Sequence, residues 1–130
     1  MMTREIPPRP VVLVVDDEAL IRWSLTERMT EEGYAVRQAS SGHEARAVMA
    51  SLHGAPVIVV LDLRLPDVAD LSLFREIRAG HPEAQIIVLT AHGSPEDEQT
   101  ALSEGAFGFI SKPFDLATIA TMIEEARQSA

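Results

Sequence analysis

The chain has 130 residues, 46% hydrophobic and 24% charged, which is enough apolar material for one core and too little length for two comfortable domains. Its formal charge of −9, from 20 acidic against 11 basic residues, argues against direct binding of nucleic acid through backbone phosphates. The absence of cysteine excludes disulfides, thiolate metal centres and cysteine nucleophiles.

The first ten residues (MMTREIPPRP) carry prolines and charges without the apolar segment of a secretory signal, so residues 1–10 read as a flexible arm. No apolar run approaches the ~20 residues that span a bilayer. The chain reads as soluble and cytoplasmic. Val11–Val15 (VVLVV) is the first strand, continuously apolar as strands buried on both faces of a parallel sheet are. A helix follows over 18–32, with Ile21, Leu25 and Met29 on one face and Gly33 as its stop. Ala35–Ala39 (AVRQA) alternates and suits an edge strand. A helix over 41–51 offers Ala45, Val48 and Met49 to the core.

Residues 57–61 (VIVVL) form a third, fully buried strand. A helix over 71–79 groups Leu73, Phe74 and Ile77 and ends at Gly80-His81-Pro82. Residues 86–90 (IIVLT) make the fourth strand. Ser94-Pro95-Glu96-Asp97 then starts a helix, with a hydroxyl cap, proline in the first turn and acids at the positive end of the dipole. That helix offers the core chiefly Ala101 and Leu102, so weak packing is expected of it. Residues 108–110 (GFI) are a short fifth strand, and Asp115 opens a last helix lined by Leu116, Ile119, Ala120, Ile123 and Ala126. Strict alternation of strands and helices predicts an α/β fold: a doubly wound, five-stranded parallel sheet with five helices, of flavodoxin-like order 2-1-3-4-5.

In such a sheet, ligands gather at the carboxyl ends of the strands. Four of those ends carry polar residues of specific kinds: Asp16-Asp17-Glu18 after the first strand, Asp62 after the third, Thr90 after the fourth and Lys112 after the fifth. Carboxylates crowded at one rim repel by about 4 kcal/mol per pair at ~4 Å and an effective dielectric near ~20. A magnesium ion, a hard cation with oxygen ligands, relieves that repulsion. An aspartate needs no general base to attack phosphorus, so Asp62 could act as a nucleophile there. Lys112 and the metal offset charge on the phosphoryl oxygens, and the Thr90 hydroxyl donates to the product. Taken singly, an aspartate after a strand is more often a helix cap, Thr90 a turn residue and Lys112 a solvated charge. It is their joint occurrence at equivalent strand ends that carries the reading.

The stretches Val14-Val15-Asp16-Asp17-Glu18, Leu61-Asp62-Leu63-Arg64-Leu65-Pro66, Leu89-Thr90-Ala91 and Lys112-Pro113-Phe114 resemble the receiver domains of bacterial two-component response regulators. The resemblance implies a receiver domain over 11–128. It implies that Asp62 takes a phosphoryl group from a histidine kinase, with Mg²⁺ held by Asp16, Asp17, Asp62 and the Arg64 backbone carbonyl. Thr90 and Lys112 would read the phosphate, Phe109 would change rotamer with the switch, and the Lys112-Pro113 peptide would be cis. Helix 4, strand 5 and helix 5 would form the responding face, open to a downstream effector or to a second copy as a homodimer. On this likeness the chain is no enzyme in the ordinary sense, catalysing only its own phosphorylation and slow dephosphorylation.

Ile21-Arg22-Trp23-Ser24-Leu25 and residues 105–110 (GAFGFI) are most similar to receivers of nitrogen-regulatory-type, sigma-54-dependent transcription activators. No P-loop is present, so the chain reads as either a stand-alone receiver or a regulatory part of a longer protein. Asp70, with Ala69 before it, departs from the family, which has glycine there, and an unusual path is expected over 66–70. His43, His53, His81 and His92 lack metal-ligand spacing, although His92 is close enough to Thr90 in sequence to affect water access. Trp23 reads as a surface aromatic. Two rival readings remain open: a pseudo-receiver that binds partners without phosphorylation, and an aspartyl-nucleophile phosphatase. The phosphatase pattern D-x-D-x-T is missing, since Leu63-Arg64 follows Asp62.

Overall fold

The structure is a computed structural model that describes residues 10–52, 55–68, 70–91 and 95–129. Five strands form one parallel sheet in the order β2-β1-β3-β4-β5: β1 (Val11–Val15), β2 (Ala35–Ala39), β3 (Val57–Asp62), β4 (Gln85–Thr90) and β5 (Gly108–Ser111). Between and after them run α1 (Ala19–Glu31), α2 (Gly42–Ser51), α3 (Ser72–Gly80), α4 (Pro95–Ser103) and α5 (Leu116–Gln128). This is the flavodoxin-like arrangement expected from the alternation of apolar runs.

The two-residue period of the central strands divides their side chains between two cores. Leu13, Val15, Val59, Leu61, Ile86 and Val88 pack with Ala45 and Met49 of α2, Phe74 and Ile77 of α3 and Ala101 of α4. Val12, Val14, Ile58, Val60, Ile87 and Leu89 pack on the other face with Leu25 and Met29 of α1 and Ile119 and Ile123 of α5. Burial on both faces explains why these strands are uninterrupted apolar runs. β2, with only Ala39 buried, is an edge strand as its alternation suggests.

Helix ends follow local chemistry. At the end of α1, Gly33 adopts φ 93°, the Gly33 amide donates to Thr30 O and the Tyr34 amide to Met29 O, which is a Schellman stop. Ser41 caps α2 by accepting the Glu44 amide, and Asp115 caps α5 by accepting that of Ala117. α4 buries Ala101 alone, because Leu102 is turned outward. Its expected cap, Ser94, lies outside the described residues, as do residues 1–9 of the arm, His53, Ala69 and His92.

In the loop after β3, Asp70 does not take up the left-handed backbone that a glycine at this position would permit, since no described non-glycine residue has positive φ. Its carboxylate instead accepts the Ser72 amide at 2.9 Å and shapes the entry to α3. A second tie comes from Asp67, whose two oxygens accept the Gly42 amide at 2.8 Å and the His43 amide at 2.9 Å. The loop is thereby fastened to the start of α2, with its carboxylate against the positive end of that helix.

Candidate functional site

Where β1 ends, the chain continues into Asp16, which is fully buried. Its Oδ1 accepts the Glu18 amide at 2.8 Å, and its backbone oxygen accepts from Arg22 Nη1 at 2.7 Å. Asp17 follows at the exposed rim. Asp62 closes β3 and is also buried; its Oδ1 accepts the Arg64 amide at 2.9 Å. Parallel register sets these strand ends side by side, with Val15 opposite Leu61. Carboxylate oxygens of Asp16, Asp17 and Asp62 all lie within 4.8 Å of one another.

Lys112 reaches the same point from beyond β5. Its amide donates to Thr90 O at 2.7 Å, which continues the β4–β5 ladder, and the Lys112-Pro113 peptide is cis. The ammonium lies 2.8 Å from Asp16 Oδ2, 2.9 Å from Glu18 Oε1 and 3.0 Å from Asp62 Oδ2. Burial by itself would pull the lysine pKa down. The carboxylates of Asp16, Glu18 and Asp62 outweigh it and hold the group well above the usual lysine range. The Asp16 carboxyl shows the opposite balance: burial pushes its pKa up, and pairing with Lys112 and the Glu18 amide offsets this only in part.

The Asp16–Lys112 contact is an ion pair without the alignment of a hydrogen bond, so buried Asp16 Oδ2 has no aligned hydrogen-bond donor among the described residues. The ammonium offsets its charge, yet the oxygen keeps lone-pair capacity for a further cation. With its neighbours Asp17 and Asp62 it offers an all-oxygen donor set suited to a hard divalent cation. The residues present therefore fit magnesium.

Thr90 is buried at the end of β4 and continues, by the two-residue period, the side of the sheet taken by Ile86 and Val88. Phe109 lies opposite Val88 in the β4–β5 register and packs, partly buried, against that same core. Thr90 and Phe109 thus share one face of the sheet. Beside Thr90 a hollow of about 270 Å³ is lined by Leu63, Arg64, Asp70, Leu71, Arg75 and Asp97.

On the other side of Lys112 an apolar groove of about 500 Å³ runs between α1 and the β5–α5 connection, lined by Leu20, Ile21, Ser24, Phe114 and Leu116. Leu20 and Trp23, 74% and 61% exposed, stand on the same helix. His43 lies in the first turn of α2 and His81 follows α3, and neither joins the acidic cluster found among the described residues.

The structure brings Asp16, Asp17, Asp62 and Lys112 into one pocket, with Thr90 at the adjoining strand end. Two features escape a reading of the residues alone. The hold of Glu18 on Lys112 is hidden because an acid just before a helix already satisfies the helix dipole. The tie of Asp67 to α2 spans elements whose proximity only the fold supplies.

A family model described as "Response regulator receiver domain" matches residues 12–124. Among curated relatives, the DNA-binding transcriptional regulator NtrC of Salmonella typhimurium is 33% identical over 118 residues, covering 91% of this chain and 25% of that protein. The transcriptional regulatory protein GlrR of Escherichia coli is 37% identical over 124 residues, covering 95% of this chain and 27% of that protein. The chain thus spans about a quarter of the length of these relatives. Among solved structures, the solution structure of the beryllofluoride-activated NtrC4 receiver domain dimer is 34% identical with a TM-score of 0.83, covering 92% of this chain and 97% of that one.

Proposed function

The chain belongs to the response regulator receiver domain family, and from that premise we propose that Asp62 is the phosphoacceptor of a histidine-kinase phosphorelay, acting within a receiver domain of residues 11–128. The observation that carries this reading is the convergence on one ammonium, that of Lys112, of two buried aspartates from different strands.

Asp16, Asp17, Asp62 and the Arg64 backbone carbonyl would hold Mg²⁺. When bound, the ion supplies positive charge to the phosphoryl oxygens as they leave the donor. An Asp62 carboxylate oxygen attacks phosphorus, the O–P bond forms as the N–P bond of a phosphohistidine breaks, and the freed imidazole takes up a proton. No base is needed on this chain. Lys112, already beside Asp62, turns to the phosphoryl oxygens, and the Thr90 hydroxyl donates to the same group. The groove beside Lys112, with Leu20 and Phe114 on its walls, suits an apolar helix face of the phosphohistidine-bearing partner.

Thr90 and Phe109 share a sheet face, so movement of Thr90 toward the phosphate leaves room for Phe109 to turn inward. α4, held by one buried alanine, shifts with it. The face of α4, β5 and α5 then binds a downstream effector or a second copy, as the NtrC4 receiver dimer suggests. Phosphate can bias this equilibrium only by interacting differently with the two states. The output is regulation of transcription, supported by the likeness to the transcriptional regulators NtrC and GlrR. The domain itself binds no nucleic acid, in keeping with its charge of −9. It acts in the cytoplasm; among the described residues no helix is long and apolar enough to cross a membrane.

Incubation with Mg²⁺ and acetyl phosphate, followed by intact-mass measurement, tests the reading. The wild type gains one phosphoryl group, and Asp62→Asn gains none. A wild type that shows neither a mass gain nor a response to beryllofluoride would instead be a pseudo-receiver.

A further inference from the structure

Three carboxylates share the Lys112 ammonium, and they are not equivalent. Asp16 and Asp62 are buried, whereas the Glu18 side chain is 57% exposed. Withdrawing Lys112 from either aspartate strands a buried charge, which is costly. Withdrawing it from Glu18 returns that carboxylate to water. Glu18 is therefore the partner that Lys112 can give up.

The local backbone prepares Glu18 for this task. It stands at the N-cap of α1, yet its side chain makes no capping hydrogen bond. Its amide is instead donated to Asp16 Oδ1, which fixes the backbone and aims the side chain at Lys112. Glu18 also lines the apolar groove together with Lys112, at the boundary between the acidic pocket and the surface where a partner would lie.

We propose that Glu18 is a specificity-determining residue that acts through Lys112: it competes with phosphoryl oxygens for the ammonium and so disfavours small, freely diffusing anionic phosphodonors. This rests on the phosphoacceptor reading given above. A small dianion must displace Glu18 from Lys112 and approach a further negative charge, with nothing but its own few contacts to offset the cost. A phosphoryl group carried by a docked protein draws on the whole interface to do the same. Glu18 thus biases loading toward the partner-borne donor.

Wild type, Glu18→Gln and Glu18→Asp are compared at saturating Mg²⁺, with loading rates read by intact mass for two donors. Acetyl phosphate is dianionic and phosphoramidate nearly singly charged around neutral pH. Glu18→Gln should load from acetyl phosphate roughly two- to fivefold faster than wild type, the range expected for a partly exposed ion pair. Its gain with phosphoramidate should be smaller, and added salt should narrow the difference between variant and wild type. Glu18→Asp, which restores the charge, should return the donor ratio toward the wild-type value. A merely structural effect would move both donors together. If the wild type loads while Glu18→Gln loads no faster, or accelerates both donors equally, this inference fails alone. If the wild type loads from neither donor, the phosphoacceptor reading fails and takes this inference with it.

Discussion

Lys112 Nζ lies 3.0 Å from Asp62 Oδ2, although the two residues belong to strand ends separated by the whole width of β4. The lysine side chain is only 9% exposed, so the pair is screened from most solvent. It is therefore a fixed counter-charge for the carboxylates, standing beside the position proposed for a divalent cation.

Lys112→Met removes that charge and leaves Asp16 and Asp62 buried with no cation. In magnesium-free buffer the variant should lose about 3 kcal/mol of stability, the scale of breaking a buried pair. Mg²⁺ should then raise its Tm by more than it raises that of the wild type, since no ammonium competes for the same oxygens. Thermal unfolding with and without Mg²⁺ measures both effects, and an equal Mg²⁺ response in the two proteins would contradict a shared site.

Asp67 ties the loop after β3 to α2, and hydrogen bonds from the Gly42 and His43 amides hold its carboxyl below the ordinary aspartate value of 3.8. A depressed folded-state pKa contributes stability that is complete above the unfolded value and is lost as pH falls through the folded one. The Gly42 and His43 amides should therefore stay protected from hydrogen exchange down to about pH 4 and lose protection below it. Asp67→Ala should expose them at every pH. It should also weaken Mg²⁺ binding severalfold if this loop positions the Arg64 carbonyl. Amide exchange and Mg²⁺ titration read the two consequences separately.

A Cβ added to Gly42 would stand 2.6 Å from Val68 Cγ2, and Val68 is stiff at χ1. Gly42→Ala should cost about 1–3 kcal/mol, as overpacking does. Combining it with Val68→Ala should recover part of that loss, a coupling visible in a double-mutant cycle. Gly108 offers a contrast. Its added Cβ would press on Met122 Sδ, but the flexible end of a methionine can move aside. Gly108→Ala should lower Tm less than Gly42→Ala does.

Arg75 pairs with both Glu104 oxygens at 2.8 Å and so straps α3 to the end of α4. Because α4 buries Ala101 alone, this exposed strap should matter more to local motion than to global stability. Arg75→Ala should speed amide exchange in 95–103 severalfold and leave Tm within a degree or two. Unchanged exchange there would show that the packing of Ala101 is enough to hold the helix.

Much of this molecule was legible in the sequence. Val11–Val15 and residues 57–61 are uninterrupted apolar runs because both faces of those strands are covered, and Gly33 marks the end of α1 because the Schellman stop needs positive φ. Alternation of strand and helix implies a parallel sheet, whose strands all end at one edge, and this is enough to predict that Asp16, Asp62, Thr90 and Lys112 share that edge. These features are governed by local periodicity and by the handedness of crossover connections, both of which a linear sequence records.

Contacts between side chains remote in sequence depend on the packed structure. Nothing local says that Glu18 turns from its own helix to Lys112, that Asp67 serves α2, that Asp70 caps Ser72 without a left-handed backbone, or that Leu102 faces out. An acid before a helix or in a loop has several partners of similar energy. Only the packed positions of the neighbouring elements decide among them, because a hydrogen bond requires its donor within about 3 Å and sequence spacing does not measure that distance between elements.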